Sequence, residues 1–426
     1  MPDSIPPART VEPDPVSIDD WTVGYCTNVH AGTDLATIRE NLVRFAGAVR
    51  ASVSHGSELG VGLWLPAEAT QQLATDADVE SFAEFLRTEQ LCPFTINAFP
   101  YDNFHQDVVK HRVYLPAWWQ TERLDYTHRL AEILAKLLPN HVRTGSISTL
   151  PIGWPNNPSD PNSSDVDLSD PNCELLNQAG ANFRELADRL RSIESQTGRR
   201  IVVAIEPEPG CILDTTDDVI TWFDRHLPDS HHRRYLTVCH DVCHAAVMGE
   251  SQSDVLNRLA AAGIGIGKVQ VSSAVVAEWD AMAVGRRQEA IKQLAAFAED
   301  RYLHQTGRVK DSGEFELVED LPALIASAPP QGDPVQGDRR WIVHFHVPIF
   351  LERFGHLTTS HSAVLDCLNT LAQDAQSSEP KIDFTGHLEI ETYAWTVLPE
   401  SMRKRGLADD IASEIVWIRK AIAQSI

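Results

Sequence analysis

Short apolar runs that end in an acidic residue or a histidine recur along this chain and constrain its fold more than any other feature. Residues 201–206, 235–241, 341–346 and 386–393 all follow this pattern. A run of this length, rich in Val and Ile, is typical of a buried β-strand. The polar residue then marks the carboxyl end of the strand. Polar side chains gathered at the carboxyl ends of several strands are typical of a (β/α)-barrel site.

Strand-like and helix-like segments alternate along most of the chain, as expected for parallel strands covered by helices. The predicted strands are residues 23–27, 61–65, 94–98, 146–150, 201–205, 235–239, 268–271, 341–347 and 386–391. The predicted helices are residues 34–51, 81–88, 123–138, 181–196, 216–226, 252–262, 274–300, 362–375 and 407–423. Nine strands are predicted, and the eight that remain without residues 341–347 are enough for a closed barrel. The sequence therefore predicts an α/β fold, a (β/α)8 TIM barrel.

The regular alternation breaks between about residue 274 and residue 340, ahead of the last strand. Residues 302–318 are predicted to form a hairpin with the turn sequence Asp-Ser-Gly, residues 311–313, at its tip. Residues 1–18, rich in proline, aspartate and serine, are predicted to be a disordered N-terminal arm. Residues 19–426 are then one TIM-barrel domain with a hairpin-containing insertion at about 274–340.

The charge and cysteine content exclude several classes of function. The net charge is −24, with 60 acidic against 36 basic residues, which argues against nucleic-acid binding and against an anionic membrane surface. The seven cysteines show neither disulfide nor zinc-ribbon spacing, so a reducing cytoplasm is the expected location. We expect no membrane span, because no apolar run reaches about 18 residues, and no secretory signal at the N-terminus.

Carboxylates end three of the predicted strands. Glu206 closes residues 201–206 and precedes a proline, which stops the strand and fixes the direction of the loop. Asp241 and His244 are three residues apart at another strand end, a spacing that lets both approach one ion or one water. Glu389 and Glu391 share a face of the last strand because side chains two apart point the same way.

Other polar pairs sit on strand faces and allow two interpretations. Gln270 shares a face with Ser272, and a glutamine carbonyl can bind a hard cation weakly or accept a hydrogen bond from a substrate hydroxyl. His344 and His346 also share a face and could be metal ligands or proton shuttles. Both pairs could equally be hydrogen-bonded interior residues.

Polar residues also end the first and third predicted strands. Asn28 and His30 follow the first strand, and Asn97 and Tyr101 follow the third. Amide, imidazole and phenol groups around a barrel mouth suit a polyhydroxylated substrate, which needs many directional donors and acceptors.

These strand ends resemble those of the xylose-isomerase-like TIM barrel superfamily of sugar isomerases, ketose 3-epimerases, inositol-catabolism enzymes and endonuclease IV. The matching residues are Glu206 after Ile205, the segment 241–244 (Asp-Val-Cys-His), and Glu391 before Thr392. In the ketose epimerases, a Glu, an Asp, a further His or Asp and a last-strand Glu bind one divalent ion. The resemblance implies metal ligands Glu206, Asp241 and Glu391. The third ligand departs from the family pattern, because the corresponding strand offers Gln270, and His346 or His244 could substitute for it.

Five separate segments resemble, more narrowly, the EboE-type metabolite-traffic proteins, a bacterial family with the same barrel that is associated with export or processing of secondary metabolites. These segments are residues 25–30, 268–273, 302–306, 344–348 and 387–393. The resemblance implies a role in metabolite traffic but does not supply a reaction.

The leading hypothesis is a metal-dependent sugar or polyol isomerase or epimerase-like enzyme acting on a small polyhydroxylated metabolite. Glu206 and Glu391 would be the catalytic acid and base and Asp241 an anchoring ligand. The cofactor would be one divalent ion: Mn, Zn, Mg, Co or Fe. The residues predicted to contact substrate are Asn28, His30, Asn97, Tyr101, His344 and Glu389.

Two alternatives belong to other classes of function. A non-catalytic metabolite-binding or carrier protein of a secondary-metabolite pathway would hold a ligand without turnover. Phosphodiester cleavage, as in endonuclease IV, would need more histidine ligands and a basic surface, and the net charge of −24 argues against it. The expected partner is a small polar metabolite, without nucleic acid, and the sequence leaves room for an oligomer.

Overall fold

A computed structural model of the chain describes residues 16–53, 56–160, 166–329, 332–400, 402–403 and 405–425. The predicted N-terminal arm, residues 1–18, lies outside the described residues except for 16–18. Within the described ranges, the chain forms fourteen strands and fourteen α-helices.

The elements follow one another in chain order, and their bounds agree with most of the predicted segments. The strands are β1 (Thr22–Cys26), β2 (Leu59–Leu63), β3 (Leu91–Asn97), β4 (Thr144–Thr149), β5 (Arg200–Ile205), β6 (Leu236–Asp241), β7 (Ile266–Val271), β8 (Val275–Glu278), β9 (Thr306–Lys310), β10 (Phe315–Val318), β11 (Asp338–Val343), β12 (Arg353–Phe354), β13 (Leu357–Thr359) and β14 (His387–Ile390). The helices are α1 (Leu35–Asn41), α2 (Gly47–Val53), α3 (Ala67–Gln72), α4 (Asp76–Thr88), α5 (Thr121–Leu137), α6 (Glu174–Thr197), α7 (Thr216–His226), α8 (Ser230–Arg233), α9 (Val242–Val247), α10 (Gln252–Ala261), α11 (Val284–Ala295), α12 (Leu321–Ala326), α13 (His361–Ala375) and α14 (Leu407–Ser425).

Eight parallel strands close into a barrel in the order β1-β14-β7-β6-β5-β4-β3-β2, which confirms the predicted (β/α)8 TIM barrel. The register aligns Asp241 of β6 with Gln270 of β7, and Gln270 with Glu389 of β14. Three polar side chains predicted from sequence therefore lie at one level of the barrel, on three adjacent strands.

Local sequence sets the ends of the outer helices. Thr75 and Thr215 each cap a helix in a reciprocal capping box with an aspartate three residues later. Gly198 ends α6 with a φ of 68°, a left-handed conformation that glycine adopts without the steric cost of a Cβ. Helix α7 has the predicted bounds, and α4 and α6 end within one residue of their predicted ends. However, α4 begins at Asp76 instead of residue 81, and α6 begins at Glu174 instead of residue 181.

Between β7 and β14 the chain builds a second sheet of six strands in the order β10-β9-β11-β8-β13-β12. The predicted hairpin is confirmed: β9 and β10 pair antiparallel around residues 311–314. The helix predicted over 274–300 is wrong at its start, since Val275–Glu278 is a strand paired with both β11 and β13 and only Val284–Ala295 is helical. The apolar run of residues 274–277 is buried between neighbouring strands, and that tertiary pairing overrides helix propensity.

The second sheet extends to Thr359, beyond the predicted end of the insertion near residue 340. Trp279 and Trp341 pack edge to face inside its own apolar cluster, with ring centroids 5.2 Å apart. The division of the chain into one barrel domain with an insertion stays a prediction. Among the helices that the structure describes, none combines the length and the apolar character needed to cross a membrane.

Candidate active site

A cavity of about 60 Å³ lies at the carboxyl ends of the barrel strands. Its polar wall includes residues from the ends of the first, third, fifth, sixth and last barrel strands and two histidines that follow β11 of the second sheet. These polar residues are Asn28, Asn97, Glu206, Glu208, His244, His344, His346 and Glu391. The insertion therefore builds part of the cavity.

Three carboxylates at this end of the barrel are almost completely withdrawn from water: Glu206 is 3% exposed, Asp241 2% and Glu391 5%. Burial and the negative charges of Glu391 and Asp241 raise the pKa of Glu206 well above its usual range. Burial and the charges of Asp241 and Glu389 raise the pKa of Glu391 to about 8. Buried acids that repel one another in this way are typical of a site that holds a cation or shares a proton.

Asp241 is fixed by two hydrogen bonds to one of its oxygens. The backbone N–H of His244 donates to Asp241 Oδ1 over 2.8 Å, and Ser272 Oγ donates to the same oxygen over 2.8 Å. Burial alone would raise the pKa of Asp241, but His244, His346 and these hydrogen bonds together lower it. Asp241 Oδ2 has no hydrogen-bond partner, and it lies 3.8 Å from Nε2 of His346.

Glu391 is held from the opposite side by two asparagines. The amides of Asn28 and Asn97 donate to Glu391 Oε1 over 2.7 Å and 2.8 Å. Its other oxygen, Oε2, lies 3.7 Å from Nδ1 of His346. Asn28, Asn97 and Glu391, which were predicted as site residues from distant parts of the sequence, are thus in direct contact.

Three buried polar atoms in this region have no hydrogen-bond partner: Glu206 Oε2, Asp241 Oδ2 and His346 Nε2. The last two are close enough to each other to bind one divalent cation. Two ligand atoms that each lie about 2.1 Å from one ion are at most about 4.2 Å apart. The 3.8 Å between Asp241 Oδ2 and His346 Nε2 satisfies this limit, and one ligand atom from each of Asp241, His244 and His346 lies within 4.8 Å of the other two.

A second polar cluster adjoins the first and contains residues that were not assigned from the sequence. Nε2 of His244 lies 3.2 Å from Nε2 of His344, and Nδ1 of His344 contacts Gln305 Oε1 over 2.7 Å. Glu208 accepts hydrogen bonds from Tyr114 and from Gln305 Nε2 over 2.9 Å and 3.1 Å. Glu208 follows Glu206 by two residues, so the acidic loop after β5 was the available sequence signal.

Gln270 and Glu389 lie deeper in the barrel than the cavity. Gln270 is fully buried, and neither side-chain atom has a hydrogen-bond partner. Glu389 is fully buried in an ion pair with Lys268, whose Nζ also donates to Ser148 Oγ over 3.2 Å. Neither residue lines the cavity. The placement of Glu389 beside Lys268 does not support its predicted contact with substrate, since its carboxylate is already neutralised inside the barrel.

Two further residues predicted to bind substrate also point elsewhere. His30 is hydrogen-bonded to the Tyr25 hydroxyl over 3.1 Å and stacks on Phe45 with ring centroids 4.6 Å apart. Tyr101 packs against Tyr126, with ring centroids 4.9 Å apart, and lines a neighbouring surface cavity. Neither residue lines the cavity at the barrel mouth, because local packing turns both side chains away from it. Of the predicted substrate-contacting residues, Asn28, Asn97 and His344 do line it.

The wall of the cavity opposite the carboxylates is apolar and aromatic. It is formed by Phe99, Pro100, Phe104, Val109, Val113, Tyr302, Leu303 and Tyr393. Phe104 and Tyr302 pack against each other, with ring centroids 4.8 Å apart. Sequence reasoning did not assign this wall to the cavity, because its residues come from separate loops and from the insertion.

Comparison with solved structures supports the fold. A xylose isomerase-like TIM barrel protein from Mycobacterium smegmatis in complex with magnesium superimposes with a TM-score of 0.50 at 12% identity, covering 96% of this chain and 99% of the other.

The fold of this chain is that of the xylose isomerase-like TIM barrels.

Two other solved structures are less similar. The probable 3-DHS dehydratase AsbF of Bacillus anthracis has a TM-score of 0.44 at 14% identity over 93% of this chain and 98% of that one. The IOLI protein with a bound zinc atom has a TM-score of 0.45 at 11% identity over 95% of this chain and 99% of that one. No family model matches the sequence, and no curated protein gives a significant match. The narrower resemblance to EboE-type proteins stays a prediction.

Proposed function

We propose that this protein is a divalent-metal-dependent isomerase or epimerase-like enzyme acting on a small polyhydroxylated metabolite. The observation that carries the proposal is the convergence of Glu206, Asp241 and Glu391 with His346, in which three buried polar atoms have no partner. Uncompensated buried carboxylates are costly, and a cation among them would remove most of that cost. The magnesium bound by the Mycobacterium smegmatis protein is in keeping with this assignment.

The ligands that would hold the ion are Glu206, Asp241, Glu391 and His346. His346 takes the place of the third ligand that the sequence left open between Gln270, His244 and His346. When bound, a divalent ion would act as a Lewis acid that stabilises negative charge on a substrate oxygen. Gln270 lies behind this set, and its free amide is available to orient a ligand or to bind a buried water.

Glu206 and Glu391 are the residues of this chain that would move a proton. With a pKa of about 8, Glu391 is mostly protonated at neutral pH in the metal-free protein, so it can act as a proton donor there. Asn28 and Asn97 bind one of its oxygens and leave the other for the exchange. The pKa of Glu206 is also raised. Of these two acids, the one that binds the ion as a carboxylate would act as a ligand, and the other would donate or accept the proton.

A solvent-exchange experiment tests this proposal. The metal-loaded protein is incubated in D2O with a panel of ketoses, aldoses and inososes (keto-cyclitols), and proton NMR follows deuterium incorporation next to the carbonyl carbon. We expect exchange with at least one member, lost in Glu206→Gln, and retained in Glu379→Gln, an exposed acidic residue. Metal-loaded protein that exchanges none of these compounds, and that binds them without conversion, would contradict the catalytic proposal.

The second candidate function is a non-catalytic binder of a secondary metabolite, in the manner that the EboE resemblance suggests. The aromatic wall of Phe99, Phe104, Tyr302 and Tyr393 favours it, because such a wall can bury the apolar part of a metabolite. One pair of measurements distinguishes the two candidates. A non-catalytic binding protein would show saturable quenching of its tryptophan or tyrosine fluorescence by a ligand, and NMR would show that the ligand is chemically unchanged.

A further inference from the structure

Another cavity lies at the opposite end of the barrel, where the strands begin, and we call it the basal cavity. Its volume is about 370 Å³. It is lined by the first residues of β1, β2 and β3, by the turn before β4 and by the last turns of α14. The basal cavity shares no lining residue with the cavity at the barrel mouth, so anything that binds in it occupies a separate site.

Three side chains with metal-binding atoms come together in the basal cavity. Glu58 directly precedes β2, Cys92 is the second residue of β3, and His141 lies in the turn between α5 and β4. Strands β2, β3 and β4 are neighbours in the barrel, which is why residues so far apart in the sequence meet. One ligand atom from each of the three lies within 4.8 Å of the other two, and all three residues line the cavity.

The contact between Glu58 and His141 has the spacing of two ligands of one ion. Oε2 of Glu58 lies 4.0 Å from Nε2 of His141, which is longer than a hydrogen bond of about 3.2 Å. Two ligand atoms bound to the same ion are at most about 4.2 Å apart, so one ion fits between them. The two side chains are 42% and 67% exposed and have the freedom to rotate onto an ion.

The thiol of Cys92 is the buried member of the group. Cys92 is 7% exposed, and within the described ranges its sulfur has neither a disulfide nor a hydrogen-bond partner. Burial, together with the negative charge of Glu58, raises the pKa of this thiol to about 12. The thiol is therefore protonated at neutral pH and is not a nucleophile. A cation bound beside it would favour the thiolate and release its proton.

Arg419 is the cationic side chain that lines the same cavity. Its guanidinium group donates a hydrogen bond to the backbone oxygen of Val53 over 3.0 Å. Within the described ranges it forms no ion pair with Glu58. The carboxylate of Glu58 is thus left available for a bound cation.

We propose that Glu58, Cys92 and His141 form a metal site for Zn²⁺ at the amino-terminal end of the barrel, independent of the proposed function at the mouth. Thiolate, imidazole and carboxylate are the ligands that Zn²⁺ takes in proteins, whereas Mg²⁺ prefers oxygen. Three protein ligands leave a fourth position for water from the cavity. The ion would join the beginnings of β2 and β3 to the turn before β4, at the end of the barrel that serves stability rather than catalysis.

Cadmium titration of the metal-free protein tests this site, because Cd²⁺ bound to a thiolate has a charge-transfer absorption in the ultraviolet. Full-length protein is stripped with a chelator, kept reduced without added thiols and titrated with Cd²⁺. We expect one equivalent to produce the band in the wild type. The band should be absent in Cys92→Ala, and binding should be at least about tenfold weaker in His141→Ala. Cys243→Ala is the matched control: Cys243 is also buried, but its sulfur lies near His344 and His346 at the barrel mouth. This variant should keep the band.

The outcomes separate the basal site from the barrel mouth. A wild type without the band would overturn the proposal, and so would a band that persists in Cys92→Ala or is lost in Cys243→Ala. If circular dichroism shows that Cys92→Ala does not fold, an unchanged titration in the exposed-site variant His141→Ala would overturn it. Glu391→Gln should titrate like the wild type, so failure of the basal site leaves the proposed function untouched.

Discussion

A lysine and a glutamate form an ion pair inside the barrel, below the cavity. Lys268 of β7 and Glu389 of β14 are both 0% exposed, and Glu389 packs against Gly62, where a larger residue would meet its carboxylate. Interaction with Glu389 raises the pKa of Lys268 against the opposing effect of burial, which keeps the ammonium charged. The pair has no net charge: the ammonium of Lys268 lowers the pKa of Glu391, and the carboxylate of Glu389 raises it.

We predict that removing one partner of this pair destabilises the protein far more than removing both. Glu389→Gln leaves Lys268 charged and unpaired in the barrel, which should cost about 3–5 kcal/mol of unfolding free energy. The double variant Lys268→Met/Glu389→Gln removes both charges with side chains of similar size, and it should recover part of that loss. Denaturant unfolding of the wild type, both single variants and the double variant measures the coupling. Additive single effects would contradict the account of the pair.

At the scale of single residues, sequence reasoning identified those site residues that lie at the carboxyl end of a strand. Asp241, Glu206 and Glu391 could be predicted because strand periodicity and barrel topology together determine where a strand-end side chain lies. His30 and Tyr101 could not be placed, because their loops turn them toward Phe45 and Tyr126. Such choices depend on packing between segments that are distant in the sequence.

At the scale of elements, helix α14 is joined to the active-site end of the barrel through Glu414. Its Oε1 accepts hydrogen bonds from Thr392 Oγ1 over 2.8 Å and from the backbone N–H of Ile349 over 3.1 Å. Thr392 follows Glu391, so this carboxyl group supports the loop that carries a candidate ligand. Burial raises the pKa of Glu414 to about 8.

This pKa predicts a stability that falls as pH rises. The folded protein holds the Glu414 proton up to pH of about 8, whereas an unfolded glutamate loses it near pH 4.5. Between these values the folded state binds more protons than the unfolded state, so the free energy of unfolding decreases with increasing pH. Glu414→Gln keeps the acceptor and cannot ionise. Relative to the wild type, it should therefore gain stability between pH 5 and pH 8.

Thermal or denaturant unfolding at several pH values measures this difference. Glu379→Gln, at an exposed position, is the control and should follow the wild type at every pH. A difference between Glu414→Gln and wild type that is the same at pH 5 and pH 8 would contradict the assignment of a raised pKa to Glu414.

The insertion marks the limit of prediction at the element scale. The hairpin of β9 and β10 was predictable from its Asp-Ser-Gly turn, which is a local signal. Strand β8 was not, because residues 275–278 become a strand only through pairing with β11 and β13, which lie more than 50 residues later. The contribution of His344 and His346 to the cavity depends on that same pairing.

For the whole molecule, the net charge of −24 argues against a nucleic acid as the substrate. Binding to DNA depends on releasing counterions through Lys and Arg contacts with phosphates. We predict that the protein neither shifts nor cleaves duplex DNA containing an abasic site at about 150 mM salt. A mobility-shift and cleavage assay with metal-loaded protein checks this. Salt-dependent binding at micromolar protein would revive the phosphodiesterase alternative.

We propose that the barrel and its insertion together make one metal-binding cavity, and the metal content of the protein tests that proposal most directly. Mass spectrometry of the purified protein, after incubation with Mn, Zn, Co, Fe and Mg ions and removal of the excess, gives the number of bound ions per chain. Wild type is compared with Glu391→Gln, and Glu379→Gln is the control. We predict at least one ion per chain in wild type and control, and one fewer in Glu391→Gln. A wild type without bound metal under all these conditions would contradict the account and leave metabolite binding as the function.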